Sequence, residues 1–290
     1  MQARTLAPAA AAALLLGTAL TAAWAAGSPT DPTRLPIGDG KVTTTGAKRG
    51  YVYRCGVGGG GGGAFRDGPW IKSDGTYDAT AKAAVDGAVA WPGRISIRVK
   101  VSRLLITGNG LPRGTTTGIY PVQTSDDAYQ YDRNPNSIRA QTLSYSLPGR
   151  PTRATRPRCL GLGPVGITLN GVVLFDGLDA LNRDAIAHEV QDACGGHPER
   201  TGTYHYHAIS ACLLKRASPK AHSSLVGYAL DGFPIYGTRG NGGALLTNAQ
   251  LDVCHGHSHA VALRGARVTT YHYHATLEYP YTVGCFRGAR

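Results

Sequence analysis

The chain has 290 residues, 40 of them glycine, and carries 30 Lys and Arg against 18 Asp and Glu, a formal net charge of +12. That length can enclose a sizeable core in one large domain or two small ones. The basic charge is scattered apart from a cluster at Thr152–Arg158, and no aromatic–basic motif accompanies it. A solvated basic surface is therefore expected, with no nucleic acid as partner.

Arg4 precedes an apolar stretch from Leu6 that closes on Ala23-Trp24-Ala25, a small-x-small cleavage pattern. Residues 1–25 are predicted to be a cleavable signal peptide, too short and alanine-rich for a membrane span. The expectation is a secreted or periplasmic protein with no transmembrane span in the mature chain. Residues 26–50, polar and rich in Thr, Gly and Pro, predict a linker.

Residues 51–158 predict an N-terminal β-rich region. It contains a loop of consecutive glycines, Gly58–Gly63, which lacks the GK[ST] ending of a phosphate loop. The alternation in RISIRVKV (Arg94–Val101) reads as a strand. Abundant turn residues and short β-branched or tyrosine-rich runs predict a mainly β fold with few short helices. Asn182–Gln191 is the one helix candidate.

The C-terminal half is internally repeated. LNGVVLF (Leu169–Phe175) recurs as LDGFPIY (Leu230–Tyr236) at an offset of 61, and DACGGH (Asp192–His197) as DVCHGH (Asp252–His257) at 60. TYHYHA at 203–208 recurs at 270–275, an offset of 67, and each copy is followed by a cysteine, Cys212 or Cys285. Four elements in the same order predict two repeats, at about 165–226 and 227–290, within a domain at 159–290.

Cys55, Cys159, Cys194, Cys212, Cys254 and Cys285 form an even set, which in an exported chain predicts disulfides. Cys194–Cys212 and Cys254–Cys285 are the economical pairs because each brackets one YHYH, leaving Cys55–Cys159. Pairing across repeats stays open.

In a strand, His205 and His207 face one side and Tyr204 and Tyr206 the other, and His272 and His274 stand likewise against Tyr271 and Tyr273. Two imidazoles at i and i+2 can converge on one ion. Packing about a pseudo-twofold axis would join the two strands into one shared four-histidine site. His197 and His257 could add two more donors, or the set could split into two sites. Met1 is the only methionine and the cysteines are expected to be oxidised, so a blue-copper centre and cysteine-ligated zinc are disfavoured. The reading that follows is an exported metal-binding protein with a histidine-only copper or zinc site.

Two other readings stand beside it. One is a copper- or zinc-dependent metalloenzyme. The other is a metal-free, disulfide-stabilised interaction domain whose histidines hydrogen-bond to backbone or to Asp231 and Glu278. No catalytic residue is assigned. HEVQD (His188–Asp192) lacks the second histidine of H-E-x-x-H, no G-x-S-x-G occurs, and His222-Ser223-Ser224 reads as a surface turn. Glu199 and Glu278 are candidate bases or outer partners of bound histidines. No protein partner is indicated.

The strings CGGHPERTGTYHYHA, LVGYALDGFPIYG, LDVCHGH and YHYHATLEYPYTVGCFRG resemble the YHYH family of exported proteins, over about Leu160–Gly288. The stretch from Tyr51 to the GPWI segment also resembles the leading part of one bacterial branch. The resemblance implies that the paired motif defines a domain, and it carries over no catalytic residues.

Overall fold

The computed structural model describes residues 30–58, 60–214 and 220–289, so the signal peptide expected over residues 1–25 lies outside the described residues. The fold is β-rich with two short α-helices among those residues, α1 (Ala185–His188) and α2 (Ala211–Leu214). Its centre is an eight-stranded sheet. The first module supplies β1 (Pro164–Thr168), β2 (Val173–Phe175), β3 (Gly196–Pro198) and β4 (Tyr204–Tyr206). The second supplies β5 (Leu225–Ala229), β6 (Pro234–Tyr236), β7 (Gly256–Leu263) and β8 (Ala266–His274).

The strand order is β3-β4-β2-β1-β5-β6-β8-β7, which reads the same from either edge once the modules are equated. Each module runs alike: β1 and β2 antiparallel, β2 and β4 parallel, β3 and β4 antiparallel, with β5 to β8 repeating the pattern. At the centre, Gly166 pairs with Ala229 and Thr168 with Gly227. Adding the 61-residue offset exchanges those two pairs, so a pseudo-twofold axis passes between β1 and β5.

The hairpins between β1 and β2 and between β5 and β6 turn at Asn170-Gly171 and Asp231-Gly232. Their glycines sit at φ +93° and +92°, a region that disfavours a Cβ. The sheet therefore joins through β1 and β5, not through the YHYH strands. β4 and β8 are separated by four strands, five inter-strand steps or about 24 Å.

The tyrosine sides of both motifs share one core. Tyr204, Tyr206, Tyr271 and Tyr273 are at most 3% exposed and lie in a single apolar cluster with Val165, Leu174, Phe233 and Ile235. An antiparallel sheet of Ile95–Lys100, Arg103–Gly108 and Leu143–Pro148 packs Leu104, Ile106 and Leu147 beside Ile167 and Tyr228 at the pseudo-twofold junction.

N-terminal residues are tied to the modules. Arg54 makes a buried ion pair with Asp176 at 2.7 Å, and Trp70 donates to the Ala187 carbonyl at 2.8 Å. Three disulfides, Cys55–Cys159, Cys194–Cys212 and Cys254–Cys285, close loops of 104, 18 and 31 residues. Loop-closure entropy makes each worth about 3–5 kcal/mol.

The helix expected over 182–191 is confined to Ala185–His188. Asp184 caps it through the Ile186 and Ala187 amides. Past His188 the chain turns extended at Glu189 (ψ 149°), and the Val190 amide donates to Asp132 instead of continuing the helix. A tertiary acceptor has taken the donor that another turn would have used.

Candidate metal centres

Strand alternation works identically in both modules. On the core side Tyr204 donates to Asp192 at 2.8 Å and Tyr206 accepts from Asn170 at 3.1 Å. In the second module Tyr271 donates to Asp252 at 2.9 Å and Tyr273 to Asp231 at 2.6 Å. Two tyrosine anchors fix each strand from behind. The histidines on the other side have nowhere to go but outward from that core, and each set meets residues of its own module.

Site A combines His197 from β3 with His205 and His207 from β4. Their candidate ligand atoms all lie within 4.8 Å of one another, and all three residues are buried. His205 and His197 face each other in the β3–β4 register. Phe175 stacks on the His205 ring with centroids 4.1 Å apart. Glu189, just past α1, brings Oε2 to 3.6 Å from Nε2 of both His197 and His207.

Site B gathers His222, His257, His259, His272 and His274. Ligand atoms of His222, His259, His272 and His274 lie within 4.8 Å of one another. His257 lies opposite His272 in the β7–β8 register, with its Nε2 3.0 Å from that of His259. Its ring centroid is 4.8–4.9 Å from those of His272 and His274.

Backbone carbonyls fix the tautomers. Nδ1 of His205 bonds to Thr203 O (3.1 Å) and Nδ1 of His207 to Asp176 O (2.5 Å). In site B the equivalent pairs are His272 with Thr270 O (3.0 Å) and His274 with Gly237 O (2.6 Å). His222 and His259 use Ser223 O and Ala260 O in the same way. A carbonyl only accepts, so each Nδ1 carries the proton and each Nε2 is left with a lone pair.

Those lone pairs face one another. Nε2 of His205 and His207 are 3.1 Å apart, where two acceptors cannot hydrogen-bond. Nitrogens sharing one tetrahedral zinc at ~2.0–2.1 Å would lie roughly 3.3 Å apart, so the spacing fits a common cation. Nε2 of His222, His272 and His274, both ring nitrogens of His197, and Oε2 of Glu189 are buried without a hydrogen-bond partner. Such atoms are costly unless something positive satisfies them.

Burial keeps the imidazoles neutral. It holds His205 and His272 down to about 3, and His207 and His257 down to about 4, while His197 and His274 fall well below the ordinary histidine value. The Glu189 carboxyl is pushed well above its usual range by burial, with Asp132 and Asp179 adding to the effect. Neutral imidazoles are the ligand form.

The sequence left open one shared site or a split into two; the structure gathers His197, His205 and His207 in one module and His257, His272 and His274 in the other. The structure does not bring the two YHYH strands into one shared four-histidine site, because the modules meet at β1 and β5. Glu189 stands beside site A, a carboxylate that the histidine-only expectation did not include. Three donors were not anticipated. His259 was legible as the i+2 neighbour of His257 on one strand face. Glu189 was visible in the His188-Glu189 pair but fails the H-E-x-x-H template, because it stands beyond the helix. His222, read as a surface turn, enters site B with no sequence signal.

The remaining histidines are structural. His188 bonds Asp67 at 2.7 Å and Asp39 at 2.9 Å, and His255 bonds Asn248 and Thr276. Glu199 bonds the Thr201 and Thr203 amides, and Glu278 accepts from the Asn248 amide. Both point their carboxylates at backbone, not at imidazoles.

No curated protein and no solved structure matches the chain. The family model described as YHYH protein matches residues 144–244, which include all of site A and end before the second YHYH strand. By that match residues 144–244 carry a YHYH domain, completed in space by a second module with the same strand order.

Proposed function

We propose that this is an exported protein that binds two transition-metal ions, copper or zinc, one in each module. The observation that carries the reading is the convergence of buried Nε2 lone pairs whose Nδ1 protons are committed to backbone carbonyls. Packing alone gives no reason to face acceptors toward each other. The signal-peptide pattern and the three disulfides support a compartment outside the reducing cytoplasm. No helix among the described residues is long and apolar enough to cross a membrane.

The test is elemental analysis of the untagged protein purified from its export compartment. Two equivalents of metal are expected, falling to one in His205→Ala/His207→Ala and to one in His272→Ala/His274→Ala, with folding retained by near-ultraviolet circular dichroism. A protein with no metal, and no uptake of added copper or zinc, would make TYHYHA a packing motif.

A further inference from the structure

The duplication is faithful in its scaffold and unfaithful in its donors. Between Gly196–Tyr206 and Gly256–Tyr273 the second hairpin is seven residues longer. β7 therefore continues to Leu263, where β3 stops at Pro198. That extension holds His259 on the strand. Its counterpart sixty residues earlier is Glu199, which turns away to cap a loop. Conversely, the positions equivalent to Glu189 are Ala249 and Gln250, so the second module has no carboxylate there.

Enclosure differs too. His197, His205 and His207 are each 3% exposed and Glu189 8%. In site B, His272 and His274 are fully buried, but His222, His257 and His259 are half-buried.

We infer that the two centres differ in kind: site A retains a divalent ion on three imidazoles and the Glu189 carboxylate, and site B exchanges its ion with solvent. This inference rests on the metal-binding reading. A divalent ion among neutral imidazoles alone would bring two uncompensated charges into the interior, and the carboxylate removes one of them. Four donors that close a buried shell leave no position for an incoming chelator or water. Site B needs no such neutralisation, because its open side lets water screen the ion. The same opening gives a chelator access.

The experiment loads the full-length mature protein with two equivalents of Zn(II) and adds excess EDTA with a chromogenic zinc indicator at neutral pH. Release is expected in two phases of one equivalent each, the slower by on the order of tenfold or more. His259→Ala should remove or accelerate only the fast phase, and Glu189→Gln should merge the slow phase into the fast one. A single rate for both equivalents overturns the inference, as does a slow phase unchanged in folded Glu189→Gln protein. If Glu189→Gln does not fold, His205→Ala serves in its place, and loss of the fast phase in that variant would place the slow site in the wrong module. Failure to load any zinc would instead sink the metal reading itself.

Discussion

The two modules of the sheet use one plan with different fittings. In each, an Asx residue in the first hairpin and an Asp before the cysteine hold the YHYH tyrosines, and two backbone carbonyls hold the YHYH histidines. The fittings differ at Asn170 against Asp231, at Gly195 against His255, and in the donors that join the shared three. Apart from Asn170 against Asp231, residues that position the strand match across the modules, whereas residues that complete the shell do not. Positioning and ligation are thus separable properties of this fold, and substitutions can test them separately.

The largest contrast is expected at the hairpin residue. Asp231 is 3% exposed and accepts from Tyr273 Oη and from the amides of Phe233, Arg287 and Gly288. Asp231→Ala strands several buried donors at once and is expected to cost about 3–5 kcal/mol. Asn170 is neutral and chiefly joins Tyr206, Thr168 and the Val172 amide. Asn170→Ala should cost about 1–2 kcal/mol. Urea unfolding of the two variants measures the difference. Equal losses would mean that the carboxylate adds nothing over the amide at this turn.

Acid should weaken both modules through their neutral imidazoles. An unfolded histidine titrates near about 6.5. In the fold, burial holds His205 and His272 at about 3 and His207 and His257 at about 4. Between those limits the unfolded chain binds more protons, so unfolding becomes easier as pH falls. Metal-free protein is expected to lose stability progressively from about pH 6.5 to about pH 4, and metal-loaded protein to lose less at each step, because bound Nε2 cannot accept a proton. Urea midpoints at successive pH values, with and without added zinc, read this directly. A flat midpoint across that range in metal-free protein would contradict the buried neutral clusters.

Local pattern carried much of this architecture. Alternation alone placed His205 with His207 and His272 with His274, because a strand has a period of two. The order of cysteines around each YHYH pointed to the disulfides that are present. What alternation cannot reveal is which edge of a module meets its twin, since sheet order depends on pairings some sixty residues apart. The choice between one shared centre and two turns on that step. The run His255-Gly256-His257-Ser258-His259 shows a second limit. Three alternate histidines imply one face, yet His255 stands before β7 with φ +76° and leaves the alternation, so only His257 and His259 reach site B. Glu189 was hidden because a tertiary bond from Val190 to Asp132 ends α1 early and turns the carboxylate inward.

The smallest effects concern that left-handed residue. Gly195 and His255 occupy equivalent positions at φ +77° and +76°. A Cβ on Gly195 would meet nothing within 4 Å, so Gly195→Ala should cost only the backbone penalty of about 1 kcal/mol. At His255 the same penalty is already present and is offset by bonds from the ring to Asn248 Oδ1 at 3.1 Å and Thr276 Oγ1 at 3.0 Å. His255→Ala keeps the backbone penalty and loses both bonds, so a loss of about 1–3 kcal/mol is expected. His255→Gly loses the same bonds but relieves the backbone, and should recover about 1 kcal/mol of that loss. Thermal or urea unfolding of the three variants closes the comparison. If His255→Gly and His255→Ala are equally unstable, the left-handed backbone costs nothing in the second module, and the match between these two turns is one of shape without a shared energy.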